Sequence, residues 1–183
     1  MALADRIPLA RFLPKPRVGP GRNVLRDVWN LLSGLPGGKR LFSKLVGRMA
    51  PYTGGIHATV TVLRAGYAEV QMHDRRAVRN HLDSIHAIAL ANLAELAGNV
   101  ALAYSLPEDA RFIVRGMEIE YMKKARGTIT AIGEPPIPRS AQGAQYDVPV
   151  TLRDASGDEV AKAVIRSLVG PKPGSSSDRG DVN

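Results

Sequence analysis

The chain of 183 residues contains no cysteine, which excludes disulfide bonds and thiolate chemistry. Its four histidines, His57, His73, His81 and His86, are dispersed and lack the spacing of zinc ligands. No apolar run approaches the ~20 residues needed to cross a bilayer, and the N-terminus lacks the apolar core of a signal peptide. We therefore expect a cytoplasmic protein without a metal ion.

The positive charge is concentrated at one end of the chain. The formal net charge is +8, from 25 Lys/Arg and 17 Asp/Glu. Residues 1–50 hold ten Lys/Arg and two Asp/Glu, which leaves fifteen of each for residues 51–183. Any attraction to an anionic partner therefore belongs to the first 50 residues. An anionic membrane, contacted weakly, is one such partner. Nucleic acid is an unlikely partner, because the sequence contains no convincing helix-turn-helix motif.

Composition and periodicity divide the chain into four segments. We predict a basic, Pro-rich arm at 1–22, a helical extension at 23–51, one main domain at 52–170 and a disordered tail at 171–183. In the extension, 23–32 and 39–50 are predicted as short helices separated by SGLPGG. The second carries an apolar stripe flanked by Lys39, Arg40, Lys44 and Arg48, with the members Leu41, Phe42, Leu45, Val46 and Met49. Such a stripe usually covers a domain core, and less often lies on a membrane.

The main domain alternates apolar and polar residues in a way that predicts six strands. IHATVTVLRAGYAEVQMHD predicts two strands that turn near residues 64–66. Four more are predicted in RFIVRGMEIEYMKK, GTITAIGE, QYDVPVTLR and DEVAKAVIRSLVG, with a hairpin turn at ASGD. One long helix separates the two groups. The predicted class is α+β, with an antiparallel sheet wrapped around that helix.

The long helix is apolar nearly all round, which indicates burial. Its polar residues Asn92, Glu95 and Asn99 are spaced three and four apart, so they share one face. A carboxylate in this setting either faces a cleft or carries a desolvation cost, and it is a candidate functional group.

The start of the helix is the second candidate feature. Asp83 or Ser84 is predicted as the N-cap, which would leave the amides of His86, Ala87 and Ile88 free to bind a developing negative charge. Glu95 lies nine residues beyond His86, about 13 Å along the axis at 1.5 Å per residue. One helix cannot bring both to the same reacting atom. If they act together, a second subunit with an antiparallel helix must supply the carboxylate.

The element order and the pattern Asn80-x5-His86-x8-Glu95 resemble the hotdog-fold superfamily, and in particular the phenylacetate-degradation type of acyl-CoA thioesterases. The resemblance covers roughly residues 52–170. RNHLDSIHAIALANLAELAG, with the later EIEYMKKARGTITA, is also similar to a bacterial branch of hotdog proteins described as thioesterase-like.

The resemblance implies a function and a role for several residues. Glu95 would be the nucleophile or the general base, the amide of Ala87 would bind the thioester oxygen, and His86 and Asn80 would orient substrate or water. The substrate would be an acyl-CoA thioester, no further cofactor is implied, and the sites would lie between the subunits of a homodimer or a dimer of dimers.

Five further residues are predicted to contact the substrate, and some of them have a second interpretation. Asn92 and Ile88 are expected beside the substrate, although the resembling enzymes have Gly-Gly where this chain has Ala87 and Ile88. The basic group Lys123, Lys124 and Arg126 either holds the phosphates of coenzyme A or is a solvated strand end.

Two other functions stay open at this stage. The first is a non-catalytic acyl-CoA or fatty-acid binding module that docks through the basic leader to a membrane or nucleic acid. The second is a hotdog dehydratase, but that branch resembles a different Asp/His pattern, which this chain lacks.

Overall fold

A computed structural model describes residues 21–174, and the predictions for residues 1–20 and 175–183 lie outside the described residues. Four α-helices, six strands and one short 3-10 turn make up this part of the chain. The helices are α1 (Val24–Leu32), α2 (Gly38–Met49), α3 (Pro51–Gly54) and α4 (Ala87–Ser105). The strands are β1 (Thr59–Arg64), β2 (Tyr67–Met72), β3 (Ala110–Tyr121), β4 (Ile129–Gly133), β5 (Ala144–Arg153) and β6 (Glu159–Pro171).

The six strands form one antiparallel sheet in the order β1-β2-β4-β5-β6-β3. Buried and exposed residues alternate along most strands, as the period-2 pattern requires when one face of a sheet meets the core. The predicted class, number of strands and single central helix are confirmed. The turn at Gly66, where φ is 71°, and the turn at Asp154–Gly157 close the two predicted hairpins.

Helix α4 lies against the concave face of the sheet and most of its residues are buried. Within residues 21–174 it is the one helix long and apolar enough to cross a membrane. Its contacts with the sheet identify it as a core helix instead. The approach is closest at two glycines: a Cβ on Gly133 of β4 would lie 2.7 Å from the Ala97 carbonyl oxygen, and one on Gly98 would lie 2.6 Å from Ile165 Cδ1.

Helix α2 covers the β1 edge of the sheet. The hydroxyl of Ser43 accepts a hydrogen bond from the Val60 amide at 2.9 Å, and Lys39 Nζ donates to the Thr61 carbonyl at 2.7 Å. Two polar groups of an edge strand that would otherwise be open to another chain are thereby satisfied. Phe42 is fully buried and meets the ring of Trp29 edge-on, with centroids 5.0 Å apart.

The predicted apolar stripe of α2 is divided between core and solvent. Phe42 and Val46 pack into the core, as one interpretation of the stripe required. Leu41 and Met49 are instead 49% and 75% exposed. Residues Pro51–Gly54 form the single helical turn α3, between α2 and β1.

The predicted start of α4 is wrong. The N-cap is His86, not Asp83 or Ser84, because residues 80–86 form a loop. In this loop Asp83 has a left-handed φ of 52°, and the Ser84 amide and hydroxyl donate to Asn80 Oδ1 at 3.3 and 3.2 Å. The Ile85 amide donates to the Ala125 carbonyl at 2.9 Å, so contacts with the β3–β4 segment determine where the helix begins.

Candidate active site at the start of helix α4

A pocket of about 260 Å³ lies at the N-terminus of α4. The loop before the helix, the first turn of the helix and the end of β3 with the residues after it form its walls. The lining residues are Asn80, Leu82, Ser84, Ile85, Ala87, Leu90, Tyr121, Met122, Lys123, Lys124 and Ala125. Most of these side chains are apolar, with a few polar groups among them, which is the usual composition of a site for an organic ligand.

The first turn of α4 leaves one backbone amide free at this pocket. His86 Nδ1 accepts a hydrogen bond from the Ile88 amide at 3.1 Å, and the His86 carbonyl accepts from the Ala89 and Leu90 amides. The amide of Ala87 donates to no group among residues 21–174. It is therefore available to an anionic or carbonyl oxygen, and the positive end of the helix dipole favours such an oxygen there.

The cap also determines the proton position on His86. Because Nδ1 accepts from an amide, it carries no proton, and in the neutral imidazole the proton is on Nε2. The His86 side chain is exposed beside the pocket. Its Nε2–H can therefore donate to a ligand oxygen.

Asn80 is held by its carboxamide oxygen. Oδ1 accepts from the Leu82 amide at 2.9 Å and from both the amide and the hydroxyl of Ser84. Three donors on Oδ1 fix the orientation of the carboxamide, so its NH₂ group points away from the Leu82 and Ser84 donors. This group has no acceptor within the described residues, and it lies in the wall of the pocket. Ser84, which is buried, positions it.

Tyr121, the last residue of β3, lies on the other side of the start of α4. The sequence did not indicate a role for it in the site. Its hydroxyl donates to the Ala87 carbonyl at 3.0 Å. Burial raises the pKa of this phenol above its ordinary value of 10.0, so the group stays protonated and donating at neutral pH. Its position in the last residue of β3, opposite α4, is a consequence of the tertiary fold.

The three basic residues predicted to hold coenzyme A are in different states. Lys123 forms ion pairs with Asp154 at 2.8 Å and Asp158 at 2.6 Å, in the β5–β6 turn. These carboxylates raise the pKa of Lys123 and neutralise its positive charge. Arg126 Nε donates to the Asp83 carbonyl at 3.2 Å, and Lys124 has no hydrogen bond or ion pair within the described part of the chain. Lys124 is the pocket-lining cation that is open to a ligand.

Glu95 does not line this pocket. It is half-buried on the side of α4 that faces away from the sheet, in line with Ile88, Asn92 and Asn99. Asn99 Nδ2 donates to Glu95 Oε1 at 3.4 Å, which agrees with the predicted shared face. Eight residues separate Ala87 from Glu95, about 12 Å along the helix axis. Within one chain the carboxylate and the free amide therefore serve different places.

The same face of α4 carries buried oxygens without donors. The side-chain oxygens of Asn92 and Asn99 are buried and unpaired among the described residues, although Asn92 Nδ2 donates to the Tyr52 carbonyl at 3.4 Å. Ile88 is 54% exposed on this face and does not line the pocket. Both oxygens are covered by this chain itself, so they mark polar groups left without a donor among residues 21–174 and not a surface open to a second chain.

Comparisons with known proteins place the chain in a family. A family model for a domain of unknown function, DUF4442, matches residues 38–169. The chain belongs to this family. The match begins at the first residue of α2 and ends within β6, so the DUF4442 domain includes the helix that covers the sheet edge. No protein with a curated description matches the chain.

Solved structures resemble this DUF4442 protein over most of their length. A structural-genomics crystal structure is 32% identical, covers 81% of this chain and 99% of its own, and has a TM-score of 0.71. A Pseudomonas aeruginosa protein described as a probable thioesterase is 24% identical, with coverages of 75% and 97% and a TM-score of 0.63. A thioesterase family protein from Silicibacter pomeroyi is 15% identical, with coverages of 71% and 96% and a TM-score of 0.61. The predicted hotdog fold is confirmed.

Proposed function

We propose that this DUF4442 protein is a thioester hydrolase that acts on an acyl-CoA substrate as a homodimer. The observation that carries the proposal is the free Ala87 amide, which lies at a helix N-terminus in the wall of a largely apolar pocket. Hydrolysis of a thioester passes through a tetrahedral intermediate with a negative oxygen, and a backbone amide at a helix start stabilises that charge. Relatives of the same fold described as thioesterases support this reaction class.

In the proposed mechanism the thioester carbonyl oxygen accepts from the Ala87 amide. His86 Nε2–H and the free NH₂ group of Asn80 orient the substrate or the attacking water. As water adds to the carbonyl carbon, charge collects on the oxygen beside the Ala87 amide. The attacking water gives a proton to the general base, the C–S bond then breaks, and the same proton passes to the sulfur, so that coenzyme A leaves as a thiol. The interactions that grow with the oxygen charge lower the barrier.

Glu95 is proposed as the general base or nucleophile, in the site of the partner subunit. Its half-buried carboxylate lies on the face of α4 that turns away from the sheet, where an antiparallel α4 of a second copy would fit. Offset along two such helices, the carboxylate of one chain would approach the Ala87 amide of the other. Ile88, which is 54% exposed on this face, supports an interface there.

The coenzyme A end of the substrate is proposed to lie toward Lys124. This lysine lines the pocket and is free of protein partners within residues 21–174. Arg126 would need only to exchange its contact with the Asp83 carbonyl for a phosphate. Lys123 would contribute less, because two carboxylates already hold it. We also propose that the enzyme is of the phenylacetate-degradation type of acyl-CoA thioesterase.

The first test is thioester hydrolysis over a panel of acyl-CoA esters. Glu95→Gln is expected to lower kcat by about 100-fold or more, the usual contribution of a catalytic acid or base. Glu134→Gln, an exposed residue beyond β4, is the matched control and should leave kcat unchanged. Acyl-CoA binding by the wild type without turnover on any ester would refute hydrolysis and favour a binding module.

The second test separates a shared site from a site within one chain. Ala87→Pro removes the amide hydrogen at the first helical position, where proline fits the helix, and His86 already has an extended ψ of 138°. This variant is expected to lose about 100- to 1,000-fold in kcat. Mixing it with Glu95→Gln under subunit exchange should restore about a quarter of wild-type activity, because half of the dimers are mixed and one of their two sites is intact. No restoration would refute the cross-subunit arrangement.

A further inference from the structure

The described part of the helical extension carries an excess of positive charge. Between residues 21 and 50 there are six Lys/Arg and one acidic residue, Asp27, which pairs with Arg22 at 2.9 Å. Lys39 is engaged by the Thr61 carbonyl. Arg40, Lys44 and Arg48 on α2 are exposed and form no ion pair or hydrogen bond with any described residue. No acidic side chain among residues 21–174 therefore pairs with their charges.

These three charges lie together on the solvent side of α2. The opposite side holds Phe42, which is buried, and Ser43, which bonds the β1 edge. At 100° per residue, positions 40, 44 and 48 form one row, and this row points away from Phe42 and Ser43. The fixed attachment of α2 to the sheet edge thus determines which way the basic row faces.

An apolar ridge runs beside the basic row. Leu41 is 49% exposed, and Leu35 in the α1–α2 turn is 54% exposed. Leu35 lies next to the start of α2, where its Cβ is 3.3 Å from the position of a Cβ on Gly38, and Leu41 follows Gly38 by three residues, so both leucines are exposed at the N-terminal end of this helix.

We propose that this surface, Leu35, Leu41 and the basic row of Arg40, Lys44 and Arg48, docks on an anionic lipid bilayer. The charges would lie among the anionic headgroups while the leucines enter the boundary with the acyl chains, which is how an amphipathic helix lies in the interface. The exposed leucines favour lipid over nucleic acid, because phosphate contacts to a nucleic acid use the charges and leave the leucines in water. The surface is separate from the α4 pocket and does not depend on the function proposed there.

Vesicle flotation of the full-length protein tests this surface. Vesicles of phosphatidylcholine with added phosphatidylserine are expected to bind the protein, binding should weaken as salt rises, and vesicles of phosphatidylcholine alone should bind it far less. Arg40→Gln/Lys44→Gln/Arg48→Gln should lower the partition coefficient by about 100-fold, since each basic residue near such a surface contributes about fivefold. The matched control is Arg111→Gln/Arg115→Gln/Arg139→Gln, three exposed arginines elsewhere, which should bind as the wild type does.

The leucines distinguish a lipid surface from any other polyanion. Leu35→Gln/Leu41→Gln should lower the partition coefficient at least about tenfold, because it removes apolar area that the bilayer buries. The circular dichroism spectrum of every variant should match that of the wild type, which shows that the fold is intact. Failure to bind phosphatidylserine vesicles, or equal binding by the triple α2 variant and the control, would overturn the proposal. So would binding to duplex DNA at the same protein concentration with no effect of the leucine substitutions.

Discussion

Gly133→Ala is predicted to destabilise the protein, because α4 lies directly on β4 at this residue. An alanine Cβ would be 2.7 Å from the Ala97 carbonyl oxygen, 2.8 Å from the Ala97 carbonyl carbon and 3.0 Å from the Gly98 nitrogen. All three are backbone atoms in the middle of a helix, so no side chain can rotate away. The helix or the strand must move by several tenths of an ångström, which loosens the packing of α4 around Gly98 on the β5 and β6 side chains of Val148, Val150 and Ile165.

The magnitude follows from two opposing terms. Overpacking of this kind costs about 1–3 kcal/mol, and a contact made only by backbone atoms belongs at the upper end. Gly133 does not have a positive φ, so alanine can adopt its backbone and recovers about 0.4–1 kcal/mol by restricting the unfolded chain. The expected net loss is about 2 kcal/mol in the free energy of unfolding.

Urea unfolding measures this loss, followed by the fluorescence of Trp29, the one tryptophan, and by circular dichroism. The matched control is Gly143→Ala, where an added Cβ meets no atom within 4 Å and φ is not positive. This control should be as stable as the wild type or slightly more so. Equal midpoints for the two variants, with unchanged slopes, would show that the helix–sheet contact at Gly133 is not tight and would refute the reasoning.

Two further changes test the attachment of the extension and the acid stability of the site region. Asn23→Ala should lower the free energy of unfolding by about 2–4 kcal/mol. The Asn23 Oδ1 caps α1, and its buried Nδ2 donates to carbonyls at the end of α4, including that of Ala103 at 2.8 Å. Asn30→Ala, which loses only one exposed hydrogen bond, is the control in the same unfolding assay. The hydrogen bond from Arg79 holds the pKa of Asp74 below its ordinary value of 3.8, and the Gly127 amide acts in the same direction. A lowered folded pKa means that this stabilisation is present above about pH 4 and is lost as pH falls through the folded pKa, so the stability difference between the wild type and Asp74→Asn should shrink as the pH falls from about 4 to about 2. A difference that stays constant over that range would contradict the assignment.

Local pattern was sufficient for most elements of the fold. Period-2 alternation located all six strands, and the unbroken apolar run located α4, because burial on one face of a sheet or all round a helix leaves a direct trace in the order of residues. The spacing of Glu95 and Asn99 likewise predicted that they share one face of α4, where Asn99 donates a hydrogen bond to Glu95.

The start of α4 could not be predicted from local rules. Asp83 and Ser84 are good N-cap residues, but Ser84 is bonded to Asn80 and Ile85 to Ala125, 40 residues further along. Long-range hydrogen bonds thus overrode the local preference and moved the cap to His86. This displacement matters for the site, since it makes Ala87 the first helical residue and leaves its amide free.

The sequence alone determined that the protein has one apolar helix within an antiparallel sheet, a half-polar helix face that includes Glu95, and a basic N-terminal segment. Only the tertiary structure decided that Asn80, Ala87, Tyr121 and Lys124 line one pocket and that Lys123 is held by the β5–β6 turn. It also decided that α2 directs Leu41 and the basic row toward solvent, because Ser43 bonds the β1 edge. The physical reason is the sequence separation of the contacts. Periodicity in a short segment shows which face of a helix or strand is buried, but the residues that cover or bond that face lie far away in the chain.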